Sequence, residues 1–204
     1  MKNIRIDIQG TTTLLMHSPK CVNPLHPLKK AMNKLTAPRK KTDEIHEAVS
    51  HLEWMCAAYF NEDISRPIDD YLTKDMYLYI PTDCFMKSFV EGARSFKMGK
   101  HMTQFVTIQG IEAAFDPHTD MPITQMWKDP RFRDVRNVTV GRSKVMRTRP
   151  RFDKWSSVLE VRYDDTKIDF ETICAAVDYA GRYVGVGDFR PKYGLYAVSI
   201  TELD

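Results

Sequence analysis

Residues 158–203, "VLEVRYDDTKIDFETICAAVDYAGRYVGVGDFRPKYGLYAVSITEL", carry the clearest pattern of secondary structure in the chain. Apolar and polar side chains alternate over 158–163, which predicts a strand with one buried face. From Asp169 to Gly181 the apolar residues recur at helical spacing, and alternation returns over 196–203. The stretch therefore predicts a strand, a helix and a second strand, with a connection long enough for the two strands to run parallel.

Three segments nearer the N-terminus add to this unit. Over 4–9, three isoleucines alternate with Arg, Asp and Gln before Gly10, which predicts a strand. A capped start and an apolar stripe predict a helix over 42–59. The segment 76–81 predicts a short strand that leads into a helix capped at Thr82–Asp83.

The most economical closure of these elements is a ferredoxin-like α+β sandwich, in which two helices cover one face of an antiparallel sheet. At 204 residues and 43% apolar, the chain is long enough for one substantial core. We therefore expect a single domain over 1–204, with insertions at about 17–41 and 98–151. The second insertion includes a predicted β-arm that turns around Gly141–Ser143.

Composition favours a cytoplasmic protein without a metal or nucleotide cofactor. The four cysteines are scattered and form no CxxC pair, so their spacing suggests neither a zinc site nor a disulfide framework. The first residues, MKNIRIDIQG, lack the apolar run of a secretory signal, and no run is long enough to span a bilayer. The net charge of +3 favours an anionic partner only mildly, so the distribution of charge matters more than its total.

Two stretches of the chain concentrate basic residues. The first, Lys20–Lys41, holds seven Lys or Arg and no acid. Its four flanking or internal prolines predict an extended basic loop with a short helix around Leu28–Leu35. The second, Arg131–Arg151, holds eight Lys or Arg against one acid. Such clusters bind phosphate backbones favourably, because each Lys or Arg that meets a phosphate releases condensed counterions. The plainer interpretation is a solvent-exposed face of a basic protein.

Within the second stretch, Arg147, Arg149 and Arg151 alternate with smaller residues. In an extended segment they would lie on one side at a spacing of roughly 6 to 7 Å, close to the rise between successive phosphates of a single strand. Phe152 and Trp155 follow and could stack on bases, although large aromatic residues at the start of a strand usually belong to a core.

The segment 181–194 contains four of the nine glycines of the chain. One glycine there can end the predicted helix in a left-handed conformation. Gly187 and Gly194 remain, and the residues between them include two cations and two aromatic residues. A loop that presents these side chains and its backbone amides suits a polyanionic ligand. The loop runs from a helix to a strand, which is the reverse of the GxGxxG dinucleotide fingerprint, so a nucleotide cofactor is not expected.

A sandwich that ends in a glycine-rich loop between its last helix and last strand resembles the RAMP superfamily, the RNA-binding proteins of CRISPR systems. The segments "TTTLLMHS", "PLKKAMNKLTAPRKKTDE", "RTRPRFDKW" and "GVGDFRPKYGLYAV" are also similar to an uncharacterised family of bacteriophage proteins. The first resemblance implies an RRM-like sheet, a glycine loop at the nucleic-acid surface and assembly along a strand. The second implies a location in the bacterial host cytoplasm and no particular activity.

These observations lead to the hypothesis of a phage protein that binds single-stranded nucleic acid without chemistry. RNA is the expected ligand, DNA is the alternative, and self-association or a multi-subunit nucleoprotein complex is the expected assembly. Two roles remain open: a subunit or mimic of an RNA-guided complex, or a strand-annealing or strand-protecting protein. Two other classes also remain: a metal-independent endoribonuclease on the same fold, with His17 as general base, and an inhibitor of a host defence complex that acts by protein contact.

The hypothesis names its contact residues. No metal ligands and no cofactor are expected, because the acidic pairs Asp69–Asp70 and Asp164–Asp165 fall at turns, where Asp bonds its own backbone. The predicted nucleic-acid contacts, from the two basic stretches, the adjacent aromatic residue and the glycine loop, are Lys20, Lys29, Lys30, Lys34, Arg39, Lys40, Lys41, Arg142, Lys144, Arg147, Arg149, Arg151, Trp155, Gly187, Phe189, Arg190, Lys192 and Tyr193.

Overall fold

The structure is a computed structural model that describes residues 1–40, 42–62, 64, 76–141 and 143–203. In chain order its elements are β1 (Lys2–Gly10), β2 (Leu14–Leu15), α1 (Pro27–Thr36), α2 (Asp43–Ala57), β3 (Tyr79–Pro81), α3 (Thr82–Arg94), α4 (Gly99–Phe105), β4 (Val106–Ile108), β5 (Glu112–Asp116), α5 (Ile123–Met126), β6 (Arg133–Val140), β7 (Ser143–Phe152), β8 (Ser156–Tyr163), α6 (Phe170–Tyr183) and β9 (Tyr196–Leu203). Short 3-10 turns lie at Lys20–Val22 and Pro130–Phe132. The fold is α+β, and the strand pairs β1–β8, β1–β9, β3–β5, β4–β8, β5–β8 and β6–β7 are antiparallel.

The chain divides into two compact units. Unit one comprises Met1–Leu14, Tyr79–Thr119 and Asp153–Asp204, and unit two comprises Leu15–Leu78 and Asp120–Phe152. Unit one therefore contains the N-terminal strand and the C-terminal stretch 158–203. Unit two collects both basic stretches.

Unit one is built on a sheet with the strand order β3-β5-β8-β1-β9, in which β4 also pairs with β8. Strand β1 lies antiparallel to both β8 and β9, with Ile6 opposite Leu159 on one side and Ile200 on the other. Since β8 and β9 are both antiparallel to β1, they run parallel to each other, and α6 connects them. The predicted strand-helix-strand unit with parallel strands is confirmed.

One face of this sheet forms the core of unit one. Ile4, Ile6 and Ile8 are buried, because alternation along β1 places all three on the same face. Helices α3 and α6 cross closely, and a Cβ at Gly92 would lie 2.4 Å from the carbonyl oxygen of Ala176. The Ser88 hydroxyl and the Tyr196 hydroxyl, both buried, are 3.0 Å apart and satisfy each other.

The glycine loop before β9 is held by close backbone contacts. Gly194 has a φ of +75°, and a Cβ there would lie 1.7 Å from the carbonyl oxygen of Val186. The Gly194 nitrogen donates to the Thr13 carbonyl at 2.8 Å, and the Val186 nitrogen donates to the Gly194 carbonyl at 2.9 Å. Glycine is required at this position because no other residue combines that conformation with that approach.

Unit two packs α1, α2 and the hairpin of β6 and β7 around an aromatic core. Trp54 of α2 is buried, and its indole nitrogen donates to the Phe132 carbonyl at 2.8 Å. The hydroxyls of Ser50 and Thr148 are 2.7 Å apart and join α2 to β7. A disulfide joins Cys21 to Cys56 across a Cα separation of 5.6 Å.

In unit two, one sequence-based expectation is confirmed and one is corrected. The short helix expected around Leu28–Leu35 is α1, which begins at Pro27 and buries Leu28 and Met32 on one face, while Pro24 and Pro38 lie outside it. The expectation from cysteine spacing is wrong for Cys21 and Cys56, which are distant in sequence and adjacent in the fold.

The cap expected at Thr82–Asp83 is wrong, because α3 begins at Thr82 without a side-chain cap and the Thr82 hydroxyl donates to the Gly110 carbonyl at 2.9 Å. Three other predictions agree with the structure. The helix expected over 42–59 is α2, the turn expected around Gly141–Ser143 joins β6 to β7, and Asp169 caps α6 by accepting from the Thr172 nitrogen at 2.7 Å. No helix in the described ranges has the length and apolar character needed to cross a bilayer.

Candidate nucleic-acid interface

Charge is segregated between the two units. Unit two contains 18 Lys and Arg against 12 Asp and Glu, whereas unit one contains 12 against 15. The modest net charge of the chain therefore conceals a basic unit and an acidic one. A polyanion would be attracted to unit two.

The first basic segment, Lys29–Lys40, presents its charge to solvent. Lys30 and Lys34 are exposed and lie one helical turn apart on α1, opposite the face that buries Leu28 and Met32. Arg39 and Lys40 follow the helix and are also exposed. None of the five Lys and Arg of this segment forms an ion pair with a carboxylate of another described residue. These cations are available to phosphates.

The basic hairpin, β6 and β7, holds much of its charge in internal ion pairs. Arg136 lies opposite Arg147 in the strand register, and each is paired with a carboxylate, that of Asp134 and Glu53 respectively. Arg131, just before β6, is paired with Asp129 at 2.6 Å. The hairpin therefore offers less unneutralised charge than its sequence indicates, although the Arg147 side chain remains 44% exposed.

The expected row of three solvent-facing guanidinium groups is corrected. Arg149 is only 6% exposed, and Arg151 is partly buried. The reason is that the end of β7 is covered on both faces, since Thr148 and Pro150 are buried as well. Lys144, nearer the turn of the hairpin, is exposed.

The two basic stretches nevertheless meet in a cavity of about 210 Å³ in unit two. We call it the basic cavity and define it by five lining residues: His17, Lys29, Glu53, Arg147 and Arg149. Cys21, Cys56 and Met32 form part of its less polar wall. The sequence placed Lys29 and the two arginines in separate stretches, and the fold brings them to one site.

The hydrogen bond from the Arg149 guanidinium fixes the tautomer of His17. The Arg149 Nε donates to the His17 Nδ1 at 3.3 Å. Because a guanidinium can only donate, Nδ1 accepts, and the neutral imidazole carries its proton on Nε2. His17 in this state presents a donor at Nε2, and a general base would need a free lone pair there.

Lys20 is corrected from a phosphate contact to an internal cation. Its side chain is 12% exposed, its ammonium lies 3.4 Å from a carboxylate oxygen of Glu62, and it sits 3.5 Å from the centre of the Phe60 ring. Burial lowers the pKa of Lys20 to about 8, and the Glu62 carboxylate opposes this effect. A passing nucleic acid strand cannot reach this ammonium without disturbing the packing around it.

The buried Lys20 predicts that stability rises with pH in the alkaline range. Between about pH 8 and the ordinary value of 10.5 the unfolded chain binds more protons than the folded one. The free energy of unfolding of the wild type should therefore increase across this window relative to Lys20→Met. Urea titrations from about pH 7.5 to about pH 10 measure the difference. The Lys30→Met variant, which changes an exposed lysine, is the control. If the difference in free energy of unfolding between the wild type and Lys20→Met does not change with pH, the prediction is wrong.

Trp155 is corrected from a base-stacking residue to a core residue. Its side chain is fully buried, and its indole nitrogen donates to the Thr12 carbonyl at 2.9 Å. Gly10 packs against it, since a Cβ at Gly10 would lie 2.2 Å from the indole nitrogen. Stacking on a base would require this ring to leave the core of unit one.

The glycine loop of unit one contributes to a separate groove of about 1010 Å³. The predicted residues Gly187, Phe189 and Arg190 line it together with Tyr179 and Tyr183 of α6. We call it the aromatic groove. Phe189 is 40% exposed and Tyr183 is 60% exposed, so their rings are accessible.

The charges around the aromatic groove are balanced. Its lining cations are Lys87, Arg94 and Arg190, and its lining acids are Asp83, Glu91 and Asp188. Phe189 has a φ of +54°, a backbone conformation that residues other than glycine rarely adopt and that is often found at ligand sites. Tyr193 meets the Phe189 ring edge-on at 6.4 Å, and the Lys192 ammonium lies 5.7 Å from the centre of the Tyr193 ring.

The exposed face of the sheet in unit one has a different character. On β1 and β8, which the structure describes throughout, the side chains on this face include Arg5, Asp7, Glu160 and Arg162 and no aromatic ring. RRM domains stack bases on aromatic side chains at this position of the sheet. That mode of binding is not open to these two strands.

The acidic pairs give no metal site in the described part of the chain. There, no group of three or more His, Cys, Asp or Glu side chains is arranged to hold an ion. The Asp164 carboxylate accepts from the nitrogen and hydroxyl of Thr166, which lowers its pKa, and Asp165 pairs with the N-terminal ammonium at 3.1 Å. Asp69–Asp70 lies outside the described residues, as do Lys41 and Arg142 of the predicted contacts.

Sequence reasoning missed several residues of these two sites. Glu53 reads as one of several acids on an exposed helix, and only the fold shows that it lies between α2 and β7. Tyr179 and Tyr183 did carry a signal, because aromatic residues four apart on an amphipathic helix share a face.

The chain was compared with known proteins. None of the models of known families matches it, and none of the curated proteins is similar to it in sequence. A function is therefore argued from the geometry and chemistry of the basic cavity, the first basic segment and the aromatic groove.

Proposed function

We propose that the chain is a non-catalytic protein that binds single-stranded nucleic acid, with RNA as its expected ligand, through the basic surface of unit two. One observation carries the proposal. Four of the five cations of the first basic segment, Lys30, Lys34, Arg39 and Lys40, are exposed, and none of the five forms an ion pair with another described residue, in a unit that carries a clear excess of positive charge. Such a surface releases counterions when it meets a phosphate backbone.

The proposed binding has two components. Lys30, Lys34, Arg39 and Lys40, with Lys144 of the hairpin, would contact phosphates without reading sequence. Bases would stack in the aromatic groove on Phe189, Tyr183 and Tyr179, because stacking on aromatic side chains tolerates every base. Self-association along the strand, or entry into a multi-subunit nucleoprotein complex, is part of the proposal.

The proposed fold family supports this function. In unit one the strands follow the spatial order β9-β1-β8-β5-β3, with β4 also paired with β8. Helix α6 follows β8 directly, and α3 is the first helix of unit one after β1, with a segment of unit two and β3 between them. A ferredoxin-like sandwich has the order of the first four of these strands, which favours the proposed relation to the RAMP superfamily and to phage proteins. A host-cell cytoplasmic location belongs to the same proposal.

The proposal contains no catalytic step. The endoribonuclease alternative requires His17 as a base. The Nδ1 lone pair accepts from Arg149 and the proton of the neutral ring lies on Nε2, so this arrangement leaves no lone pair of the ring for a substrate proton. Incubation of a labelled RNA with the protein in the presence of a chelator tests this alternative. Cleavage that disappears in His17→Ala would replace the binding proposal with the enzymatic one.

Binding predicts a salt dependence that the exposed lysines control. Fluorescence anisotropy with a single-stranded RNA should show affinity that falls steeply with salt. In Lys30→Gln/Lys34→Gln the slope of log K against log salt should be shallower by about 1.4, since each phosphate contact on a single strand contributes about 0.7. The control is Lys97→Gln/Lys100→Gln, which removes two exposed lysines from unit one. Absence of binding at low salt, or equal slopes in the two variants, would refute the proposal.

The aromatic groove favours a second candidate function, inhibition of a host protein complex by direct contact. Exposed aromatic rings beside balanced charges are typical of protein interfaces, where Tyr and Phe are enriched. Capture of host proteins from a lysate, with and without nuclease treatment, separates the two. Capture that survives nuclease and is lost in Tyr183→Ala would favour the protein partner.

A further inference from the structure

We infer that the basic cavity of unit two is a binding site for a terminal phosphomonoester, and that the protein therefore recognises the phosphorylated end of a strand. This inference rests on the proposed function for its choice of ligand. It goes beyond that function because contacts with internal phosphates do not depend on whether the end of the strand is phosphorylated.

The lining charges of the cavity select an anion. Three permanent cations, Lys29, Arg147 and Arg149, line it against one carboxylate, that of Glu53. Both oxygens of Glu53 are already engaged, one by the Arg147 guanidinium and the other by the Thr148 nitrogen at 3.0 Å. For an anion that enters the cavity, attraction to the three cations would therefore exceed repulsion from the Glu53 carboxylate.

The donors of the cavity suit a phosphoryl group. Guanidinium groups present two parallel donors that match phosphate oxygens, and the lysine ammonium adds a compact charge. The His17 Nε2 carries a proton because its Nδ1 accepts from Arg149. Arg149 itself is 6% exposed, so its charge lies in an environment of low dielectric, where an added anion is bound more strongly than at the surface.

The size of the cavity favours an end over a passing strand. Its volume of about 210 Å³ is below the range of pockets that enclose a drug-sized ligand, roughly 300 to 1,000 Å³. A phosphoryl group with part of its sugar fits this space better than a backbone that must enter and leave. A phosphomonoester also carries roughly −1.5 to −2 charges and three acceptor oxygens at neutral pH, against one charge for an internal diester.

The experiment compares one RNA sequence in three forms: with a 5′-phosphate, with a 3′-phosphate, and treated with phosphatase so that both ends are hydroxyls. The fluorophore is attached to an internal base so that both ends stay free, and anisotropy gives the affinities. We expect at least one phosphorylated form to bind about tenfold more tightly than the hydroxyl form, because several charge-assisted hydrogen bonds are gained.

Two matched variants of α1 assign any preference to the cavity. Lys29→Met removes a charge that lines the cavity, and Lys34→Met removes a charge on the exposed side of the same helix. Lys29→Met should abolish most of the preference for a phosphorylated end, whereas Lys34→Met should weaken all three RNAs equally and keep the ratio. A preference that survives in Lys29→Met would overturn the assignment to this cavity.

The outcomes separate this inference from the proposed function. Equal binding of the three RNAs would overturn the inference and leave the proposed function intact. If none of the RNAs binds, uridine 5′-monophosphate and uridine are compared by calorimetry. Binding of the monophosphate alone would support the cavity site and refute strand binding, and binding of neither would overturn both.

Discussion

Replacement of Gly194 by alanine is expected to destabilise unit one by more than about 4 kcal/mol, enough to prevent the chain from folding stably. Two causes act together. The φ of +75° is unfavourable for any residue with a Cβ, and the added atom would lie 1.7 Å from the Val186 carbonyl oxygen. The clash is with backbone, so a change of rotamer cannot relieve it, and the hydrogen bond from Val186 to Gly194 must break.

Gly141→Ala is the matched control for this prediction. Gly141 also has a positive φ, +61°, but a Cβ there meets no described atom within 4 Å. It should cost only the conformational penalty, about 1 to 2 kcal/mol. Urea denaturation gives both values, and hydrogen exchange of α6 and β9 shows where protection is lost. Similar losses in the two variants would mean that the close approach in the glycine loop is not structurally important.

Removal of the disulfide by Cys21→Ala/Cys56→Ala is expected to destabilise unit two by about 4 kcal/mol. The bond joins cysteines 35 residues apart, and closing a loop of this length removes that order of conformational freedom from the unfolded chain. It also ties the turn before α1 to the end of α2, and both segments contribute to the wall of the basic cavity.

The matched control uses Cys84 and Cys174, which are not part of the disulfide. Cys84→Ala/Cys174→Ala removes the same number of sulfur atoms without opening a covalent loop. Denaturant midpoints measured with and without a reductant should fall for the wild type on reduction, and should not respond to reductant in Cys21→Ala/Cys56→Ala. A wild-type midpoint that is insensitive to reductant would show that the disulfide does not contribute to stability.

The two predictions also bear on the proposed sites. The Gly194 contact holds the loop that carries Phe189 into the aromatic groove, so a folded but loosened variant should lose base stacking more than salt-dependent binding. The disulfide adjoins Lys29 and Arg149 in the basic cavity, so its removal should reduce the preference for a phosphorylated end.

Several regular elements follow from the sequence alone, since their periodicity is a local property. Alternation along β1, β8 and β9 and the helical spacing of α2 and α6 specify which faces are apolar, and burial then follows those faces. The capping role of Asp169 is equally local, because a helix start needs only a few consecutive residues.

Which charged and aromatic side chains are available to a ligand depends on the tertiary structure. Lys20 and Lys30 are the same residue type in one basic stretch, yet Lys20 is buried beside Glu62 and Phe60 while Lys30 is exposed. Trp155 and Tyr183 differ in the same way, because Thr12 and Gly10 enclose the first ring. The exposure of a side chain depends on partners that are distant in the chain. Packing in the folded protein brings these partners together, and no local pattern of residues specifies those contacts.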